Sequence, residues 1–257
     1  MLTDSHAHIQ GKEYAGEAAA VIARARAAGV DTIIAVGGAG DMSSNGEAVV
    51  LAASFPNVYA TVGMHPHDAK HVGDEEMNAL KQLAASPKVV AVGETGLDYY
   101  YSHSPHETQR KVFVRFIHLA REIKLPLVVH ERDAAKETAE LLRCEGDGGL
   151  SGVIHCFTGD YDAARRYLDL GFYLSFTGII TFKNADALRE VARKVPLERM
   201  CVETDSPYLT PVPHRGKRNE PAYVRFVAET LARIKNISFE QTASVTTANA
   251  RALFHLP

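Results

Sequence analysis

Along this chain, short apolar runs rich in β-branched residues alternate with longer amphipathic stretches. Such alternation marks strand–helix–strand units, in which each helix carries the chain back so that consecutive strands lie parallel. Eight runs read as strands, near residues 2–4, 32–37, 58–63, 89–93, 127–130, 152–156, 172–176 and 200–203. The segments between them carry helical patterns and stop signals. One helix is expected over 14–28, ending at Gly29. Another is expected over about 105–124, stopping before Pro126 because proline disfavours helical geometry in the residue before it. Asp160 should cap a helix through Leu170 with Gly171 as its stop, and Asp133 should cap one running towards Cys144. A proline-rich loop, 207–221, follows the eighth strand, and two helical stretches close the chain.

Eight strands, each followed by a helix, predict an α/β fold: a single (β/α)₈ TIM barrel domain over residues 1–257. The length also fits two smaller domains, and an open doubly wound sheet is the competing topology. The polar residues tip the balance. Barrels carry their reactive groups at the C-terminal ends of strands. Here the apolar runs end in His6-Ala7-His8, Gly63-Met64-His65, Gly93-Glu94, His130, His155 and Glu203-Thr204-Asp205.

His6 and His8, two residues apart on a strand, project from the same face, so both imidazoles can reach one cation. Alone, that spacing is weak and would also fit two histidines near a surface turn. Joined by His130, His155 and Asp205 at other strand ends, it points to metal binding. The donors suit zinc, manganese, iron or nickel better than calcium, and magnesium stays open. They also outnumber the three protein ligands that a catalytic zinc normally takes. Two divalent metal ions account for the surplus, with Glu94 between the two groups as the natural bridge. Such a centre lowers the pKa of a water and stabilises a leaving oxygen. Asp205 would both ligate metal and accept the proton of that water. Asp4 is either a partner that orients a ligand histidine or a turn residue.

Composition narrows the setting. A chain 46% hydrophobic and 23% charged is an ordinary globular one. Its net charge of −3 weighs against a protein that coats duplex nucleic acid. Cys144, Cys156 and Cys201 form no CxxC pair, which argues against a zinc ribbon or a disulfide scaffold. Cys156 reads as a core residue, alternating away from His155. No apolar run reaches the ~20 residues of a membrane helix, and the first residues do not read as a signal peptide. The expected location is the cytoplasm, with no membrane partner.

Five motifs now carry a resemblance. Asp4-Ser5-His6-Ala7-His8, Gly63-Met64-His65-Pro66-His67, residues 93–100 (GETGLDYY), His155-Cys156-Phe157-Thr158-Gly159 and Glu203-Thr204-Asp205-Ser206-Pro207 resemble, in order, the signatures of the TatD family of metal-dependent deoxyribonucleases in the amidohydrolase superfamily. The resemblance runs on to Arg218-Asn219-Glu220-Pro221 and covers nearly the whole chain. It implies a (β/α)₈ barrel, two divalent metals, and phosphodiester hydrolysis from the 3′ end of DNA. It places the metal ligands on His6, His8, Glu94, His130, His155 and Asp205, and gives His65 and Arg132 contacts to substrate phosphate. Glu131 departs from the family pattern and brings a negative charge near that phosphate.

Other residues carry readings of their own. Arg132 is a bidentate phosphate clamp or a surface partner of Glu131 or Asp133. His67 shapes the Pro66 turn. Glu203 joins a third metal, holds a ligand in place, or is a buried structural acid. Among Tyr99, Tyr100 and Tyr101, at most one is expected to stack on a base. Lys217 and Arg218 line an approach to the site or form a solvated pair. The leading function is a deoxyribonuclease of the 3′–5′ exonuclease type, acting on single-stranded or frayed DNA ends. The rivals are a carboxylic ester or lactone hydrolase, an aminoacyl-tRNA deacylase, and a non-catalytic nucleic-acid-binding barrel.

Overall fold

The computed structural model describes residues 1–257. Its eight strands are β1 (Leu2–Ala7), β2 (Val30–Val36), β3 (Val58–Val62), β4 (Val89–Asp98), β5 (Leu127–Arg132), β6 (Gly152–Ile154), β7 (Tyr173–Phe176) and β8 (Met200–Val202). They form one sheet in sequence order, with every neighbouring pair parallel. Helices α1 (Ala18–Ala27), α2 (Ser43–Ser54), α3 (Asp74–Leu83), α4 (His106–Ile123), α5 (Ala135–Glu145), α6 (Tyr161–Asp169), α7 (Asp186–Lys194) and α8 (Val224–Lys235) follow the strands one for one. A last helix, α9 (Phe239–Phe254), ends the chain. No helix is long and apolar enough to cross a membrane.

The barrel closes through the ends of β1 and β8. The Asp205 amide donates to the His6 carbonyl (2.9 Å), and the His8 amide donates to the Ser206 carbonyl (2.8 Å). Asp4, fully buried, accepts from the Thr204 amide (2.9 Å) and the Thr204 hydroxyl (2.6 Å). Burial pushes its carboxyl up to about 8 despite those donors. Asp4 is therefore neither a turn residue nor a partner of an imidazole ring. It pins the seam of the barrel.

Strand alternation carries the core into the site. A cluster that includes Ile34, Val36, Val90, Val128, Val153 and Cys201 packs against Ala250, Leu253 and Phe254 of α9. Two residues further along the chain from Val128, Val153 and Cys201 stand His130, His155 and Glu203. With a side-chain period of two, the same inward face is apolar below and polar at the C-terminal mouth.

Several boundaries differ from those expected. The chain first forms a short 3₁₀ turn, Lys12–Tyr14, and α1 starts only at Ala18 because Gly16 (φ 74°) breaks the run. β4 continues five residues past Gly93, to Asp98. Gly96 allows this: at φ 143°, a Cβ there would lie 2.0 Å from the His130 carbonyl oxygen. β6 and β8 stop early, at Ile154 and Val202, and Cys156 (φ 46°) and Asp205 (φ 53°) turn the chain out beyond them. Asp160 does cap α6, accepting from the Ala163 amide at 2.8 Å. Asp133 does not cap α5. Its backbone is left-handed (φ 55°), and Glu131 Oε1 accepts from the Ala134 amide at 2.8 Å instead.

Candidate metal centre

Two groups of donor atoms meet at the mouth of the barrel. In the first, His6 Nε2 lies 3.1 Å from His8 Nε2, 3.5 Å from Glu94 Oε2 and 3.7 Å from Asp205 Oδ1. His8 Nε2 lies 3.5 Å from Asp205 Oδ1. In the second, Glu94 Oε1 lies 2.9 Å from His130 Nδ1 and 2.8 Å from His155 Nε2, which are 3.3 Å apart. Glu94 thus presents one oxygen to each group. Ligands about 2.1 Å from a tetrahedral cation stand about 3.4 Å apart, so both groups have the spacing a metal requires.

The far side of each ring shows which nitrogen carries a proton. His8 Nδ1–H donates to the Val36 carbonyl (2.9 Å), His130 Nε2–H to Asp98 Oδ2 (3.1 Å), and His155 Nδ1–H to Glu203 Oε1 (3.3 Å). In each case the other nitrogen faces the cluster and is the one that would meet a metal. A carboxylate or carbonyl behind an imidazole is the arrangement that fixes tautomer and orientation in metal sites. His6 Nδ1 is buried with no partner, and its Nε2 joins the cluster. Protons hold these inner nitrogens against Glu94 and Asp205, and a divalent cation would take the place of those protons. The residues fit the metals they were expected to hold.

His65 is different. Its Nε2 lies 3.2 Å from His130 Nδ1 and 3.6 Å from Glu94 Oε1, so distance alone would make it a further ligand. Its Nδ1, however, accepts the His67 amide (3.1 Å). Burial, together with the charge of His130, holds its pKa well below the usual value, so the ring is neutral. A neutral imidazole that accepts at Nδ1 carries its proton on Nε2. His65 thus aims a hydrogen-bond donor into the site.

The electrostatics favour positive charge here. Burial opposes ionisation of Glu94, but the charge of His155 and hydrogen bonds from His130 and His155 hold its carboxyl well below the usual range. Burial likewise raises Asp205, and the His8 hydrogen bond with the charges of His6 and His155 outweighs it, leaving the carboxyl lowered. His155 is raised well above its normal value against burial, by the charges of Glu94 and Glu203 and by the hydrogen bonds its ring donates to both. The acids that draw protons onto these rings would equally draw a cation, which binds in competition with protons.

The remaining candidates fall on either side of the mouth. The Arg132 guanidinium lies over Tyr100 (4.2 Å) and Tyr101 (4.7 Å), exposed and ion-paired with neither Glu131 nor Asp133. Glu131, whose carboxyl burial raises, is directed to the first turn of α5 rather than to the mouth. Glu203 is fully buried and accepts the Cys156 amide (2.7 Å) through the same oxygen that meets His155. Cys156 itself is off the strand and half-buried, not a core residue; its amide is what the site uses. Tyr99 donates to Glu137 (2.8 Å) and stacks on His106, a packing role. Arg218 pairs with Glu17 and covers Tyr14, so it does not line an approach.

Sequence reasoning missed Asp98. Its Oδ2 receives both His130 Nε2–H and His67 Nε2–H (3.0 Å), so His67 does more than shape a turn. The signal was its spacing: four residues beyond Glu94, it shares that face of the strand if the strand runs on. The expected strand ended at residue 93, which left Asp98 beyond it.

The TatD related DNase family matches residues 3–255. The chain is 44% identical to the "Uncharacterized metal-dependent hydrolase YabD" of Bacillus subtilis, with 100% of each covered. It is 33% identical to the "3'-5' ssDNA/RNA exonuclease TatD" of Salmonella typhimurium, with 98% of each covered. The crystal structure of YJJV, a TatD homolog from Escherichia coli K12, shares the fold with a TM-score of 0.93 at 28% identity, covering 100% of this chain and 98% of that one. With a match running from the first strand to the last helix, this chain belongs to the TatD related DNase family and is a metal-dependent hydrolase.

Proposed function

We propose that this protein is a two-metal phosphodiesterase that shortens single-stranded nucleic acid from the 3′ end. The observation that carries this reading is Glu94, with one oxygen in each of two clusters of histidine and carboxylate donors, together with an Arg132 guanidinium at the end of β5 that pairs with no acid. A relative named for 3′–5′ exonuclease activity on single-stranded DNA and RNA supports the polarity and the substrate class.

In this reading His6, His8 and Asp205 would hold one cation and His130 and His155 the other, with one oxygen of Glu94 offered to each. When bound, the cations supply Lewis acidity towards a water and the phosphoryl oxygens. Asp205 accepts the proton of the attacking water. His65 donates from Nε2 to a phosphoryl oxygen as charge builds there. Arg132, held by two aromatic faces, grips the phosphate with its planar fork. Glu203 and Asp98 hold the rings of His155 and His130 in orientation. Asp4 keeps β1 and β8, and with them His6 and Asp205, in register.

The same centre would serve a carboxylic ester, a lactone or a charged tRNA. Arg132 favours the phosphodiester, and an intact donor set argues against a barrel that only binds. The test is a screen of purified protein on labelled single-stranded DNA, duplex DNA, RNA and aminoacyl-tRNA, with elemental analysis. Expected are two metals per chain, 3′ shortening of single strands, and loss of that activity after chelation with recovery on adding metal back. Failure of metal-replete protein to cut any strand, or turnover confined to aminoacyl or lactone esters, overturns the reading.

A further inference from the structure

Three exposed tyrosines surround the mouth: Tyr100 (59% exposed) and Tyr101 (50%) after β4, and Tyr208 (56%) across from them after β8. The first two are occupied, since both lie beneath Arg132 and Tyr101 also stacks on His103. Tyr208 has no ring or cation on either face. Its one aromatic contact is an edge-on approach to His8, with ring centroids 6.4 Å apart at 64°.

The backbone beneath that ring is locked. The Tyr208 amide donates to the Asp205 carbonyl (2.9 Å), and its carbonyl accepts the Asn219 side-chain amide (2.6 Å). Asn219 is fully buried, donates also to the Thr204 carbonyl (2.9 Å), and its own amide donates to the Pro207 carbonyl (3.1 Å). An aromatic face kept in water is apolar surface that a partner can cover. A tyrosine on a fixed backbone has only two side-chain torsions left to order, so covering it costs little entropy.

We infer that Tyr208 is the stacking platform for the nucleobase beside the bond being cut. This rests on the nuclease reading above and names the part of the substrate that the reading leaves unassigned. Offset aromatic stacks place centroids about 4.5–7 Å apart. The Tyr208 ring stands 6.4 Å from His8, so a base on it lies beside the donor cluster, while Arg132 stands at the end of β5 on the other side of the barrel. Every base has a π-face, so the platform grips strand ends without selecting sequence. It also demands an unpaired base, which disfavours intact duplex ends.

The test uses metal-replete enzyme on single-stranded oligonucleotides, either intact or abasic at one of the two nucleotides flanking the scissile bond. Tyr208→Ala should lower kcat/KM on intact strands by about 5- to 150-fold, the usual range for one base–aromatic stack, with metal content unchanged. Wild type should lose a similar factor at one abasic position, and the Ala variant should be indifferent to that base. Tyr208→Phe and Tyr208→Trp should stay near wild type. Equal losses by the Ala variant on intact and abasic strands would overturn the inference while leaving the nuclease reading in place. So would a Phe variant as poor as Ala, which would assign the effect to the hydroxyl. Wild-type enzyme that cuts no strand at all overturns both.

Discussion

One carboxylate oxygen of Asp98 receives His130 Nε2–H at 3.1 Å and His67 Nε2–H at 3.0 Å. Asp98 thereby orients the ring so that His130 Nδ1 meets Glu94 Oε1, 2.9 Å away. Burial tends to raise the Asp98 carboxyl, but the hydrogen bonds from His130 and Tyr101 hold it far below its ordinary value. Asp98→Asn keeps the shape and removes the charge behind the ring. Affinity for the second metal should fall by roughly 10- to 100-fold, as when such partners are lost elsewhere. Metal titration followed by calorimetry would show it. Unchanged affinity at both sites would mean that Asp98 serves only the fold.

His65 offers a donor where its neighbours offer lone pairs. His65→Ala should leave both metals bound and lower kcat on a phosphodiester by about 10²- to 10³-fold, the loss typical of one donor to developing charge. His65→Gln, which retains an N–H, should recover part of it. Elemental analysis beside steady-state kinetics decides the matter. A drop to one metal per chain would make His65 a ligand and contradict the tautomer set by the His67 amide.

Arg132→Ala should also spare the metals, but its penalty should depend on substrate charge. Loss of a bidentate, charge-assisted contact should cost about 2–4 kcal/mol, or roughly 30- to 1,000-fold in kcat/KM on an oligonucleotide. A neutral ester, if hydrolysed, should lose little. Lysine should rescue only partly, because a point charge lacks the planar fork. Equal losses on charged and neutral substrates would assign Arg132 to holding Tyr100 and Tyr101.

Gly96 tests how the site is supported. Gly96→Ala would drive a Cβ towards the His130 carbonyl at a backbone angle that L-residues rarely adopt. The variant should lose at least about 2 kcal/mol of stability, and its melting temperature should fall by about 4–8 °C. Metal binding should weaken with it, since β4 and β5 carry Glu94 and His130 side by side. A melting curve like that of wild type would show that β4 can move aside at no cost.

What the sequence determined by itself was everything that follows from local period and chemical type. Hydrophobic period located all eight strands and the order of helices between them. Donor-rich strand ends marked His6, His8, Glu94, His130, His155 and Asp205 before any of them could be seen to meet. Short-range signals such as Asp160 before α6 and Gly29 after α1 held because a cap and its helix lie within one turn of each other. The tertiary structure decided whatever depends on a partner distant in the chain. Asp133 lost the α5 cap to Glu131 once β5 ran on to Arg132. Asp98 entered the site because Gly93 and Gly96 let β4 pass close to β5 and run on past the end expected for it at residue 93. The protonated nitrogen of His8, His130, His155 and His65 is set by Val36, Asp98, Glu203 and the His67 amide in turn, and apart from His67 beside His65 these partners stand 28 to 48 residues away. A lone pair has a direction only once the fold supplies something behind the ring, so the choice between ligand and donor belongs to the barrel and not to the motif.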